Sequence, residues 1–164
     1  LTRKGTVGVL ATEGTLASAR FAALLDNFGL DVHVVTQHGV GLVEAVERGE
    51  LSGERISKIL DAHLRPLLAE GADVIVLGCT HYVFLRPLIE KLVGPAVSVI
   101  DTGAAVVRQL AHRLDEEGRR AAPGSLVTVH FWCSGNPASV AQTLGVLWRP
   151  GCWPELLPRS AVFR

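Results

Sequence analysis

The chain has 164 residues, 48% of them hydrophobic and 20% charged, a globular balance sufficient for one ordinary domain with a buried core. Its 16 basic and 16 acidic side chains cancel, which leaves no bulk attraction for a nucleic-acid backbone or an anionic membrane surface. The three cysteines, at positions 79, 133 and 152, form neither a disulfide framework nor a Cys-x-x-Cys zinc pattern, and no apolar run approaches the roughly 20 residues of a membrane span. The amino terminus also lacks the layout of a signal peptide. These features predict a soluble, cytoplasmic protein. The chain opens on Leu1 and a polar Thr2-Arg3-Lys4-Gly5 stretch directly before an apolar run, and it contains no methionine, which is the look of a fragment.

In chain order, Thr6 to Ala11 predicts a strand ending at Thr12, and Leu16 to Phe28 one helix closed by Asn27 and Gly29. Asp31 to Thr36 predicts a second strand, broken by Gln37-His38-Gly39 before a helical Leu42-Val43-Glu44-Ala45-Val46. Ser52 is placed to cap a longer helix in which Ile56, Ile59, Leu60, Leu64, Leu67 and Leu68 recur near helical spacing, with Gly71 as its stop. Val74 to Leu77 reads as a strand covered on both faces, and Gly78-Cys79-Thr80-His81 follows at its carboxyl end. Val97 to Ile100 predicts the next strand, ending at Asp101-Thr102-Gly103, and Ala104 to Glu117 the next helix, with Thr102 a candidate N-cap. After a surface connection over 118–124, Val127 to Trp132 predicts a strand, Ser134-Gly135-Asn136-Pro137 a turn and Ala138 to Trp148 a last helix. From Pro150 the pattern dissolves.

Alternating strands and helices predict an α/β fold with a largely parallel sheet flanked by helices. Ligands in such sheets sit beyond the carboxyl ends of strands, which selects Thr12 to Thr15, Gln37 to Gly39, Gly78 to His81 and Asp101 to Gly103. At a strand-to-helix junction, Cys79 gains from helix-terminal N–H groups and from a nearby imidazole, both of which favour a thiolate base or nucleophile. His81 is suited to polarise the same site or relay a proton, and Thr80 to meet a carboxylate. The bare residues leave a second reading open and favoured, in which Cys79 is a small buried thiol and His81 a structural histidine. No dinucleotide Gly-x-Gly-x-x-Gly, Walker lysine or hydrolase triad pattern is present, and Cys79 with His81 lacks the further ligands a metal needs.

Taken as a string, Val76-Leu77-Gly78-Cys79-Thr80-His81-Tyr82 resembles the second-cysteine motif of glutamate racemases, within the aspartate/glutamate racemase superfamily. Val7 to Thr15 is similar to the strand and Thr-x-x-Thr turn that opens that family's second domain, and Gly41-Leu42-Val43-Glu44 to the segment carrying its acidic residue. Ile100-Asp101-Thr102-Gly103 and Ser134-Gly135-Asn136-Pro137 resemble the stretch that returns to the first domain, so the likeness runs in order from about Gly5 to Leu147. The resemblance implies a racemase-like fold and a cofactor-independent proton transfer between two thiols, interconverting L- and D-glutamate for peptidoglycan synthesis. It assigns Cys79 as one base/acid, His81 and Glu44 as groups that tune or assist it, and Thr12, Thr15 and Thr80 as contacts to the substrate carboxylate or amino group. It implies glutamate as substrate, no cofactor or metal, and a homodimer as the family's common state.

The same resemblance divides the chain into a second racemase domain over 1–101, a returning segment of the incomplete first domain over 102–149, and an unassigned tail over 150–164. The family's Asp-Ser-Gly and first-thiol Cys-Asn-Thr elements occur nowhere in the sequence. The isolated chain is therefore expected to be inactive or nearly so. Val83 stands where the family commonly has proline, and Gln37-His38-Gly39 replaces a common Cys-Pro-type stretch, placing His38 at the rim as a solvent-facing loop histidine or a substrate contact. Cys133 reads as a buried thiol and Cys152 as incidental. The rival readings are an aspartate racemase or related isomerase of the superfamily, and a non-catalytic α/β module that binds a small acid.

Overall fold

A four-stranded parallel sheet, in the order β2-β1-β3-β4, organises the first part of the chain: β1 is Thr6–Ala11, β2 His33–His38, β3 Val74–Leu77 and β4 Ser98–Asp101. The computed structural model describes residues 2–29 and 31–158, and its contacts divide the chain into two units, Leu1–Leu110 and Ala111–Arg164. In the first unit the register pairs Ala11 with His38, Leu10 with Leu77 and Leu77 with Asp101, so all four strands end at one level. β1 is followed by β2 on one side, whereas β3 lies on its other side; the chain changes direction between β1 and β3, where parallel sheets open a crevice. Among the described residues no helix is long and apolar enough to cross a membrane.

One face of this sheet is densely packed. α4 (Glu54–Ala69) repeats apolar residues at Ile56, Leu60, Leu64 and Leu67, all at most 1% exposed, and lays that stripe on β1 and β2. The contact is close: a Cβ added to Gly8 of β1 would stand 2.8 Å from Ile75 Cδ1 and 3.1 Å from Leu67 Cβ. α3 (Leu42–Glu47) buries Leu42, Ala45 and Val46, and α5 (Arg86–Val93) buries Ile89. On the opposite face Val7, Val9, Val34 and Val76 look across a cavity of about 310 Å³ towards Phe21, Leu24 and Leu25 of α2 (Ala19–Phe28).

Three local readings of the sequence are corrected. The helix expected from Leu16 is two pieces, α1 (Glu13–Leu16) and α2, because Ser18 takes an extended conformation and its hydroxyl accepts the Phe21 N–H at 3.1 Å, starting a new helix. Ser52 does not cap α4: the N-cap is Gly53, at φ +104°, a conformation that L side chains rarely adopt, which leaves Ser52 one residue too early. Gln37 and His38 do not break β2 but remain in the ladder opposite Leu10 and Ala11, since Gly39 alone supplies the turn.

α6 (Gly103–Glu116) runs across the division between the units. In the second unit, α7 (Pro137–Leu147) begins as expected, with Pro137 in its first turn and the Asn136 side chain accepting the Ala138 N–H at 2.9 Å. The strand expected over 127–132 contracts to β5 (Trp132–Cys133), paired in parallel with β6 (Glu155–Leu156) inside the segment read as a tail. A strand needs a partner along its length, and β6 offers two residues; Leu126 and Val127 stay 99% and 85% exposed. The last part of the tail, 159–164, lies outside the described residues.

The amino-terminal segment is tied to the sheet by one carboxylate. Asp73, buried just before β3, accepts the Thr2 hydroxyl at 2.5 Å and the Arg3 and Lys4 amides at 2.7 and 3.0 Å, and these donors, Thr2 foremost, hold its carboxyl below the usual range. Asp73→Asn is expected to lower the melting temperature at neutral pH. A depressed folded-state pKa stabilises above the unfolded value of about 3.9 and that contribution is lost as pH falls through the folded value, so the two melting curves converge in acid. A gap that stays constant to about pH 2 would show that the charge contributes nothing.

Candidate functional site

Cys79 stands immediately beyond the tip of β3, because Gly78 ends the strand against β1. The Gly78 N–H donates to Leu10 O at 2.9 Å, and a Cβ at position 78 would lie 2.9 Å from Ala11 Cβ, so only glycine allows the two strand ends this close. From there the backbone tightens at once: Tyr82 N–H donates to Cys79 O at 3.1 Å and Phe84 N–H to His81 O at 3.2 Å, forming a 3-10 turn over Tyr82–Leu85 that leads into α5. Residues 79–81 are thereby held in a short arc over the end of the sheet.

Within that arc the Cys79 Sγ and His81 Nδ1 are 3.8 Å apart, and the other ring nitrogen, Nε2, is 3.3 Å from Glu47 Oε1 of α3. Thiol, imidazole and carboxylate thus form a continuous chain, the order in which a proton leaving sulfur is taken up and its acceptor oriented. The His81 and Glu47 side chains are 33% and 62% exposed, so the pair adds at most about 1 kcal/mol to folding and its value is geometric. Cys79 and Thr80 line a cavity of about 290 Å³ with Leu77, Gly78, Val83, Thr102 and Gly103, drawn from the tips of β3 and β4. Gly103 is itself held in place: Asp101 accepts its N–H at 2.8 Å, and the Arg86 guanidinium holds Asp101 at 2.8 Å.

The structure therefore brings together Cys79, Thr80 and His81. Thr12 and Thr15 sit at the tip of β1, where their hydroxyls meet at 3.0 Å and Thr12 caps α1 through the Thr15 N–H at 3.4 Å. Thr15 faces the apolar cavity beneath α2 rather than the one at Cys79. Glu44 lies exposed on α3 and acts through its charge on Tyr82, while the carboxylate that meets His81 is Glu47, one turn on. Sequence reasoning passed over Glu47, although its i+3 spacing from Glu44 puts both on one helical face. His38 is half-buried at the end of β2, Cys133 is buried with its thiol donating to Gly135 O at 3.5 Å, and Cys152 is half-buried. Among the described residues no three His, Cys, Asp or Glu side chains converge to hold a metal ion.

Beneath the arc, Tyr82 is fully buried and its hydroxyl donates to Gly39 O at 3.0 Å. Burial first, and then the charges of Cys79 and Glu44, push its pKa up to about 12. Tyr82 is the chain's single tyrosine, so an absorbance titration reads it alone, with a native midpoint of about 12. The unfolded value is about 10. A raised folded-state pKa gives stability that is complete below about 10 and is lost as pH rises through the native midpoint. Tyr82→Phe removes the shorter of the two hydrogen bonds to the Gly39 carbonyl, leaving that from the Leu42 N–H, and is expected to cost roughly 0.5–1.5 kcal/mol by denaturant unfolding. A native phenol titrating near 10 would mean that the ring is solvated.

Residues 1–110 match the family model described as Asp/Glu/Hydantoin racemase. Over 147 residues the chain is 50% identical to the glutamate racemase of Pseudomonas entomophila (strain L48), covering 90% of this chain and 55% of the relative. Among solved structures it is similar to glutamate racemase isoform RacE1 of Bacillus anthracis, with a TM-score of 0.80 at 25% identity over 96% of this chain and 58% of that one. It is also similar to Escherichia coli glutamate racemase in complex with L-glutamate and the activator UDP-MurNAc-Ala, with a TM-score of 0.76 at 28% identity over 95% of this chain and 59% of that one. The chain spans little more than half the length of the relatives it matches.

Proposed function

We propose that this chain, which belongs to the Asp/Glu/hydantoin racemase family, carries one acid/base face of a cofactor-independent glutamate racemase. The observation that carries this reading is the contiguous chain Cys79 Sγ, His81 and Glu47, whose first member, with Thr80, lines a strand-tip cavity. Cys79 as thiolate removes the α-proton of one glutamate enantiomer, or as thiol returns a proton to the planar intermediate. His81 takes up or supplies the proton that sulfur exchanges, and Glu47, rather than Glu44, orients the imidazole. Thr80, with Thr12 at the neighbouring strand tip, meets the carboxylate or amino group of the substrate, and Thr15, which faces the cavity under α2, acts by holding the Thr12 hydroxyl at 3.0 Å. The carbanion-like intermediate demands fixed donors and excluded water, which an open cavity at the strand tips supplies only when a second body covers it.

Inversion needs a second thiol on the opposite face. In this reading that thiol belongs to a Cys-Asn-Thr element of the family's first domain, the sequence over 1–101 is the second domain, and 102–149 is the returning part of the first. The assembled protein is a cytoplasmic homodimer that supplies D-glutamate to peptidoglycan synthesis.

Incubated alone with either enantiomer in deuterated buffer, the chain is expected to leave the α-proton signal of glutamate unchanged by NMR. Joined to the part of a homologous racemase that this chain does not match, it is expected to exchange that proton, and Cys79→Ser to slow exchange by about 10²–10⁴-fold. Turnover by the chain alone, or full activity in Cys79→Ser, would falsify the two-thiol reading.

A further inference from the structure

The contact between Glu47 and His81 depends on where α3 begins, and although α3 is packed through Leu42, Ala45 and Val46 it has no cap of its own to fix that start. It is six residues long, its N-cap is Gly41, and no side chain caps it. A helix this short does not persist without tertiary support. Its start is instead set by the turn after β2: Gly39 N–H donates to Ala11 O at 3.0 Å, Gly39 O accepts the Tyr82 hydroxyl at 3.0 Å and the Leu42 N–H at 3.3 Å, and α3 follows.

A histidine from α4 holds the same turn by a separate route. His63 Nε2 lies 3.0 Å from Val40 O, and His63 Nδ1 lies 3.3 Å from Gln37 Nε2, which also donates to His38 O at 3.1 Å. Both carbonyl oxygens only accept, and this settles the protons. Val40 O requires the hydrogen on His63 Nε2, and His38 O requires Gln37 to present its amide nitrogen, so Nδ1 must accept. The whole network is satisfied by one species, the neutral Nε2–H imidazole, which spans residues 37–40 from strand end to turn.

We propose that His63 is a positioning residue of the Cys79 site, acting through the turn over 37–41 and α3 to hold Glu47 against His81. The proposal rests on the site reading above only through Glu47 and His81, and its test requires neither glutamate nor a second thiol. The reporter is the rate at which iodoacetamide alkylates Cys79 in the whole chain at neutral pH, followed by mass spectrometry on the peptide containing Cys79 so that Cys133 and Cys152 do not contribute.

Glu47→Gln and His63→Ala are each expected to slow alkylation by about threefold to tenfold, the range set by losing one hydrogen bond. If His63 acts through Glu47, the double variant loses no more than the slower single one. His63→Gln, which retains a donor for Val40 O, recovers most of the rate. Alkylation at the parental rate in either single variant, or losses that multiply in the double variant, overturns the proposal, even where His63→Ala melts at a lower temperature. Should His63→Ala not fold, Gln37→Ala carries the same test: it removes the amide and leaves the ring, a smaller slowing is expected, and an unchanged rate overturns the proposal. Absence of racemase activity bears on the two-thiol reading and leaves this outcome standing.

Discussion

The hydroxyl of Tyr82, buried and donating to the Gly39 carbonyl, joins two parts of the chain 43 residues apart, and the candidate site is arranged around that bond. On one side of it Tyr82 anchors the arc that carries Cys79 and His81; on the other, Gly39 opens the turn that leads to α3 and Glu47. The fit leaves no room for a side chain at position 39, since a Cβ there would stand 2.6 Å from the Tyr82 oxygen. A buried hydroxyl with a partner is cheap and one without is costly, so the bond selects a single relative placement of the two turns. The catalytic geometry proposed for Cys79, His81 and Glu47 is built on that placement.

The sheet supplies the platform. Parallel strands in matched register end together, and the close approach at Gly78 and Ala11 brings the tips of β1 and β3 side by side at the change of direction. The face under α3, α4 and α5 is filled with fully buried leucine and isoleucine, and it is from this face that Glu47 and His63 are presented. The opposite face, under α2, retains a cavity of about 310 Å³. Close packing is thus concentrated on the side from which the site's side chains are presented, where a misplacement of about 1 Å is costly to catalysis. The second unit buries little: among its described residues Cys133 and Pro154 are the buried side chains, while Leu126, Val127, Trp148 and Trp153 stand in solvent.

Much of this was legible beforehand. The apolar runs at 6–11 and 74–77 marked β1 and β3, the stripe from Ile56 to Leu67 marked α4, and the Gly-Cys-Thr-His string marked the strand tip, because strand and helix periodicity are properties of neighbouring residues. The misreadings have a common origin. Ser18 and Ser52 are both plausible caps, but which one caps depends on backbone angles that the flanking packing sets. The run over 127–132 has the composition of a strand, yet composition does not supply the partner a ladder needs.

The sequence by itself determined the α/β class, the order of the elements of the parallel sheet and the identity of Cys79, Thr80 and His81 as a strand-tip cluster, since each follows from spacing within a few residues. Only the tertiary structure decided that Glu47 rather than Glu44 meets His81, that Tyr82 ties the arc to Gly39, and that His63 reaches Val40 from α4. Those contacts join residues 34, 43 and 23 positions apart. Local periodicity says which face of an element is buried, but the partner a polar atom finds across such a span depends on how the elements pack.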